Sequence, residues 1–133
     1  MSAEMTSTQT VDARRTILVV DDFDDTRLLL RGWLERRGFR VLEAENGNKA
    51  VQAAESGRPV LIIMDIEMPE LDGLSATRRI RKVDGLAGVP IVAVSAYGAE
   101  QFRDKALAAG CDEYVSTPFE TADLERIIDS LVH

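Results

Sequence analysis

Residues 60–73 read VLIIMDIEMPELDG, an apolar run that ends in an aspartate and passes into a polar turn. A short, continuously apolar run of this kind predicts a strand that is buried on both faces of a sheet. The run at 60–64 has four counterparts along the chain, at 17–20, 41–44, 91–94 and, more weakly, 113–116. The sequence therefore predicts five strands, each covered on both sides.

Segments in which apolar residues recur with helical spacing separate these runs. Short polar side chains favour the first position of a helix, and glycine favours its end. On these signals the five helices run from Asp24 to Gly38, from Asn46 to Gly57, onward from Asp72, up to Gly110, and onward from Phe119. Strands and helices that alternate in this way predict an α/β fold, in which a doubly wound parallel sheet carries helices on both faces.

Length and composition are those of one globular domain. The chain has 133 residues, of which 45% are hydrophobic and 29% charged, and these values suit a single domain with its own core. We expect residues 1–15, which are polar, to form a flexible N-terminal tail, and residues 16–133 to form the domain, without a second effector domain. A net charge of −7 argues against a nucleic-acid partner, because phosphate backbones bind basic surfaces.

Other residue counts exclude further classes. Cys111 and His133 are the single cysteine and the single histidine, so an internal disulfide and a Cys/His zinc site are both excluded. The sequence has neither a signal-peptide pattern nor an apolar run long enough to cross a membrane. We therefore expect a cytoplasmic protein without a membrane partner.

Acidic and hydroxyl residues stand where the predicted strands end. Asp21 and Asp22 follow the first strand, Asp65 ends the third, and Ser95 and Thr117 follow the fourth and fifth. In open α/β sheets the ligand site forms beyond the carboxyl ends of the strands. Three carboxylates brought together there repel one another unless a hard cation such as Mg²⁺ is bound. Such a site suits the transfer of a phosphoryl group to an aspartate.

Four separately spaced motifs resemble those of the response-regulator receiver domains of two-component signalling, the CheY-like family. They are ILVVDD at 17–22, LIIMDIEMPELDG at 61–73, PIVAVSA at 90–96 and GCDEYVSTPF at 110–119. The resemblance covers about residues 16–132. It implies a flavodoxin-like fold, with five parallel strands in the order 2-1-3-4-5 and five helices.

The same resemblance implies a phosphorelay function with Mg²⁺ as cofactor. Asp65 is then the phosphoacceptor, Asp22 a direct Mg²⁺ ligand, Asp21 a ligand mainly through water, and the backbone carbonyl of Glu67 a further ligand. A histidine kinase or a phosphotransfer protein supplies the phosphoryl group, and the protein is not an enzyme on other substrates. We expect a monomer or a weak homodimer that signals to a downstream protein through its fourth helix, fifth strand and fifth helix.

The switch residues include one departure from the family pattern. Ser95 matches the hydroxyl residue that hydrogen-bonds the phosphoryl group, and Tyr114 matches the aromatic residue that moves with it. Thr117 stands where the family has a lysine, so this site has a hydroxyl group in place of a positive charge. This departure from the family pattern implies altered switching, while the resemblance implies a cis bond between Thr117 and Pro118.

Two other functions fit parts of the sequence. Without the lysine, the domain could be a receiver-like interaction module that signals independently of phosphorylation. Alternatively, Asp22-Phe23-Asp24-Asp25-Thr26 fits the D-x-D-x-T pattern of haloacid-dehalogenase-like phosphatases, with Asp22 as the nucleophile and Asp24 as the acid or base. The chain is short for that class.

Two further features are interpreted structurally. The basic run Arg78, Arg79, Arg81 and Lys82 is expected to be a solvated helix face near a helix C-terminus, where cations are favourable. Gly32, inside the first predicted helix, costs about 1 kcal/mol relative to alanine. Close packing against a neighbouring element would explain a glycine at this position.

Overall fold

Five strands and five helices alternate in a computed structural model that describes residues 15–68, 71–95, 100–117 and 120–132. The strands are β1 (Thr16–Val20), β2 (Arg40–Ala44), β3 (Leu61–Asp65), β4 (Ile91–Ser95) and β5 (Glu113–Ser116). The helices are α1 (Asp24–Arg36), α2 (Gly47–Gly57), α3 (Gly73–Arg81), α4 (Glu100–Ala109) and α5 (Thr121–Leu131).

The five strands form one parallel sheet in the order β2-β1-β3-β4-β5. Strand β1 lies inside the sheet, and Ile17 pairs with Val41 of β2 on one side and with Leu61 of β3 on the other. The order of connection reverses between β1 and β3, and ligands bind at this point in open α/β sheets. The predicted fold class and strand order are confirmed.

Alternate residues of each strand are buried in two core clusters, one on each face of the sheet, as the two-residue period of a strand requires. One cluster contains Leu18, Ile62 and Met64, and it packs against α2, α3 and α4. The other contains Val19 and Ile63, and it packs against α1 and α5. Burial on both faces explains why β1, β3 and β4 are almost continuously apolar in the sequence. The edge strands β2 and β5 are less buried and carry polar residues.

The polar helix starts predicted at Asn46 and Asp72 are confirmed. Asn46 accepts a hydrogen bond from the Lys49 amide at 2.8 Å, and Asp72 accepts one from the Ser75 amide at 2.9 Å. Each side chain satisfies an amide that has no partner inside its helix.

The N-cap predicted at Asp24 is wrong. The N-cap of α1 is Phe23, and Asp24 is the first helical residue. The Phe23 amide donates to Asp21 Oδ1 at 2.9 Å, so the Asp21 carboxylate already makes the turn into the helix. The Asp24 carboxylate lies instead in the first turn, where negative charge is favourable, and it is paired with Arg27.

Arg81 is not part of a solvated face, contrary to our interpretation of the basic run. Its guanidinium donates to the carbonyl oxygens of Gly110 at 2.6 and 3.0 Å, Leu86 at 3.1 Å and Val89 at 2.5 Å. It also donates to Asp112 Oδ2 at 3.0 Å, and that oxygen accepts from the Ile91 amide as well. Arg81 therefore joins the end of α3 to the segment before β4 and to the loop between α4 and β5.

We expect Arg81→Met to destabilise the protein by about 2 kcal/mol, because it leaves several partly buried carbonyl groups without a donor. Arg78→Met is the matched control, since Arg78 lies exposed on the same helix. Urea unfolding measures both variants. Equal unfolding midpoints for the two variants would contradict the structural role of Arg81.

Some predictions concern residues outside the described ranges. The tail predicted at 1–15 falls there apart from Arg15, and so does Pro118, whose bond to Thr117 was predicted to be cis. No helix in the described ranges combines the length and the apolar character that a membrane crossing requires.

Candidate functional site

Three carboxylates converge at the carboxyl ends of β1 and β3. Each of Asp21, Asp22 and Asp65 offers a carboxylate oxygen, and these three oxygens all lie within 4.8 Å of one another. Asp21 and Asp22 follow the last residue of β1, while Asp65 is the last residue of β3, the strand paired with β1. Strand order alone therefore brings together residues that lie more than forty positions apart in the sequence.

The carboxylates line a cavity of about 520 Å³ at this edge of the sheet. Its other polar lining residues include Glu67, Ser95, Thr117 and Thr26. Of the candidate site residues named from the sequence, Tyr114 and Asp24 do not line the cavity, and the others do. Tyr114 is partly buried and packs against the core cluster that lies under α2, α3 and α4.

Burial raises the pKa of the Asp65 carboxyl to about 7. Desolvation is the main cause, and the negative charges of Asp21 and Asp22 raise the pKa further. The Glu67 amide donates to Asp65 Oδ1 at 3.0 Å and acts in the opposite direction, because it stabilises the ionised form. A cation bound beside the carboxyl would favour its ionised form.

Burial also raises the pKa of Asp21, which is only 9% exposed. The hydrogen bond from the Phe23 amide lowers that pKa, the charge of Asp22 raises it, and the charge of Arg27 lowers it. Arg27 donates to the backbone carbonyl of Asp21 at 2.6 Å and to Glu43 at 3.2 Å, and it is paired with Asp24. Sequence reasoning missed Arg27 as a site residue, although its position three residues after Asp24 was a signal for that ion pair.

Asp22 has an oxygen that suits a metal ion. Its Oδ1 is buried and accepts no hydrogen bond from the residues that the structure describes. A buried oxygen of this kind is costly unless something binds it. With three carboxylates in reach of one point, the donor set is all oxygen, as Mg²⁺ prefers. The residues present therefore fit a magnesium ion.

The ends of β4 and β5 meet beside the carboxylates. Ser95 is 1% exposed, and its backbone carbonyl accepts from the Thr117 amide at 2.8 Å. The Thr117 hydroxyl donates to the same carbonyl at 3.4 Å. Thr117 itself is exposed at the rim of the cavity. The structure thus brings Ser95 and Thr117 to the site, as predicted from their positions at strand ends.

Asp24 lies elsewhere, which weighs against the phosphatase interpretation. Its side chain is 85% exposed and paired with Arg27, and it does not line the cavity. A general acid or base that acts together with Asp22 would need to reach the same reacting group.

Comparison with known families identifies the class of protein. The family model for the response regulator receiver domain matches residues 17–129 of this chain. The chain therefore belongs to the response regulator receiver domain family, whose members work in two-component signalling.

Single-domain response regulators are among the relatives. The chain is 32% identical to the polar-differentiation response regulator DivK of Brucella anthropi, over 88% of this chain and 93% of that protein. It is 35% identical to the chemotaxis protein CheY of Bacillus subtilis, over 86% of this chain and 92% of that protein.

Solved structures agree with the fold. The receiver domain of sensor histidine kinase PA1611 from Pseudomonas aeruginosa, with a magnesium ion in its active site cleft, is 37% identical. It superposes with a TM-score of 0.81 over 88% of this chain and 96% of that one. The response regulator TrrA from Thermotoga maritima, in complex with Mg²⁺-BeF, is 35% identical, with a TM-score of 0.79 over 89% and 99% of the two chains.

Proposed function

We propose that this protein is a stand-alone receiver domain of a two-component phosphorelay that accepts a phosphoryl group on Asp65. The observation that carries the proposal is the cluster of Asp21, Asp22 and Asp65, whose carboxylate oxygens lie within 4.8 Å of one another beside a cavity. The phosphoryl donor is a histidine kinase or a phosphotransfer protein in the cytoplasm.

In this proposal Asp65 is the nucleophile. Its Oδ1 accepts the Glu67 amide, which leaves Oδ2 to form the bond to phosphorus while the donor departs with the electrons of the bond that breaks. Asp22, Asp65 and the Glu67 carbonyl would hold Mg²⁺, with Asp21 acting mainly through water. Bound there, Mg²⁺ would supply positive charge that offsets the carboxylates and the phosphoryl oxygens. Mg²⁺ keeps several of its waters and uses few protein ligands, so its binding should be weak.

Ser95 and Tyr114 carry the signal in the same proposal. The Ser95 hydroxyl would donate to a phosphoryl oxygen, and its backbone carbonyl already receives two hydrogen bonds from Thr117. Tyr114 lies on β5 opposite Ala93 of β4, two residues before Ser95. A shift at Ser95 would therefore reach Tyr114 and the face formed by α4, β5 and α5, where a downstream protein binds.

The second candidate is an interaction module that signals without phosphate. Its support is the lysine position, since Thr117 has no charge with which to hold a phosphoryl group. Lys49, Lys82 and Lys105 do not line the cavity either. A neutral hydrogen bond is about half as strong as a charge-assisted one, so Thr117 would couple phosphorylation to the partner surface weakly.

Intact-mass spectrometry tests the proposed function. Incubation with acetyl phosphate and Mg²⁺ should add one phosphoryl group to the wild type and none to Asp65→Asn. Asp104→Asn is the matched control, because Asp104 is exposed on α4; it should be labelled like the wild type. An unlabelled wild type would favour the second candidate. Label that persists in Asp65→Asn and disappears in Asp22→Asn would favour the phosphatase interpretation.

A further inference from the structure

The cavity beside the carboxylates has an apolar wall. Leu29 and Leu30 of α1 form one part of it, and Ile63 of β3 and Val94 of β4 form another. Ile63 is buried in the core cluster under α1 and α5, and Leu30 and Val94 pack against that cluster. No α5 residue lines the cavity. The cavity therefore extends from the carboxylates along an apolar surface. A metal ion or a phosphoryl group, being charged, has no favourable contact with that surface.

Among the residues that the structure describes, none supplies a matching positive charge to the polar end of this cavity. Within the described ranges, no ion pair involves the carboxylates of Asp21, Asp22 or Asp65. Arg27 is the nearby cation, and it donates to the backbone carbonyl of Asp21 and to carboxylates outside the cavity. When the three carboxylates are ionised, one divalent metal ion still leaves one negative charge uncompensated. A monovalent cation complements that remainder.

We infer that the cavity binds a primary alkylammonium group, with the ammonium among the carboxylates and the methylene stem against Leu30, Ile63 and Val94. An ammonium presents three donors to carboxylate oxygens, and its aliphatic stem is favoured against apolar surface. Thr117, whose side chain is short and uncharged, lines the same cavity. The group is supplied in trans, either by a lysine of a partner protein or by a free aliphatic amine. The inference deepens the proposed function by naming a second ligand for the same site.

Titration with n-butylammonium chloride, followed by NMR of the backbone amides and the methyl groups, tests this inference. We expect saturable shifts at Asp65, Leu30, Ile63 and Val94. The affinity should be at least about tenfold higher than for ammonium chloride, because the ammonium ion lacks the methylenes that the apolar wall contacts. It should exceed that for n-butanol by a similar factor, since the alcohol lacks the charge. Equal weak affinities for all three compounds would overturn the inference.

A variant whose own side chain supplies the ammonium group provides the control. Thr117→Lys places an alkylammonium on the chain itself at the rim of the cavity, and we expect it to weaken butylammonium binding by at least about tenfold. Ser130→Lys adds the same charge at an exposed position on α5 and should leave binding unchanged. Butylammonium binding that is as tight to Thr117→Lys as to the wild type would contradict the proposed location.

Two additional arms assign the source and separate this inference from the phosphorelay. Tighter binding of Nα-acetyl-lysine methylamide than of putrescine assigns the group to a partner's lysine, and the reverse order assigns it to a free amine.

All titrations are made in EDTA and again with saturating Mg²⁺, and we expect binding in both. Loss of butylammonium binding in saturating Mg²⁺ would contradict the inference, because one Mg²⁺ ion should leave one negative charge for the ammonium group to offset. The acetyl phosphate assay can fail while butylammonium still binds, so the two proposals fail separately.

Discussion

Asp65→Asn should stabilise the metal-free protein at pH 8, although it removes the proposed phosphoacceptor. The Asp65 carboxyl has a pKa of about 7 in the folded protein, against 3.8 as its ordinary value. The shift is about three pH units, and each unit is worth about 1.4 kcal/mol. Because the site is partly open to solvent, which screens charge, we expect a stabilisation of about 2 kcal/mol. Asparagine has the same shape and can still accept the Glu67 amide.

The pH dependence of this effect has a definite sign. The folded state holds the Asp65 proton more tightly than the unfolded state does, so stability falls as the pH rises between about 4 and about 7. Below pH 4 the carboxyl is protonated in both states, and the advantage of Asp65→Asn should disappear. Above pH 7 the advantage should be constant.

Thermal and urea unfolding in EDTA at pH 4, 6 and 8 measures this prediction. Asp104→Asn removes one negative charge at an exposed position and controls for net charge. Saturating Mg²⁺ should stabilise the wild type at pH 8 and so reduce the advantage of the variant. If the free energy of unfolding depends on pH in the same way for Asp65→Asn and the wild type, burial does not raise the pKa of the Asp65 carboxyl.

Gly73→Ala should destabilise the protein by about 3 kcal/mol, because the added methyl group meets backbone that cannot move aside. Gly73 begins α3, and its amide donates to the Ile66 carbonyl at 3.3 Å. A Cβ at this position would lie 2.6 Å from Ile66 Cα and closer still to the carbonyl oxygen of Asp65. The substitution therefore acts on the chain segment that carries the phosphoacceptor.

Gly32→Ala is the matched control for Gly73→Ala. Apart from the chain neighbours and the nearby backbone of α1, no heavy atom of the described residues lies within 4 Å of a Cβ placed on Gly32. Close packing, the explanation considered for this glycine, is therefore wrong. Alanine should stabilise the helix by about 0.5–1 kcal/mol. Urea unfolding compares the two variants, and a loss of stability of the same size in both would show that the contact at Gly73 is not the cause.

Sequence periodicity was sufficient to predict the five strands and the burial of β1, β3 and β4, whereas the edge strands β2 and β5 are only partly buried. Continuous apolar runs arise because both faces of the parallel sheet are covered, and the two core clusters show the cause directly. The convergence of Asp21, Asp22 and Asp65 followed from their positions at strand ends, since a parallel sheet places all its carboxyl ends at one edge. The strand order came from the family resemblance, because no local pattern encodes which strands are neighbours.

The features that were missed depend on contacts that residue type and spacing alone do not reveal. Arg81 belongs to a basic run that resembles any exposed helix end, and only the positions of Gly110, Leu86 and Val89 give its guanidinium partners. Asp24 has the residue type of an N-cap, yet the Asp21 side chain had already formed the turn. The apolar wall of the cavity was missed because Leu29 and Leu30 have the spacing of ordinary helix core residues.

The position of β1 inside the sheet also constrains how the chain folds. No two neighbouring strands are joined by a hairpin, because every pair is parallel and each connection passes through a helix. The pairing of β1 with β3 closes a loop that contains α1, β2 and α2, and the entropy of that closure is lost before the contacts form. Folding should therefore be slow for a domain of this size. Before β3 pairs with β1, one side of β1 is an unpaired apolar strand edge. The folding intermediate that lacks this pairing should therefore be the species most prone to aggregate.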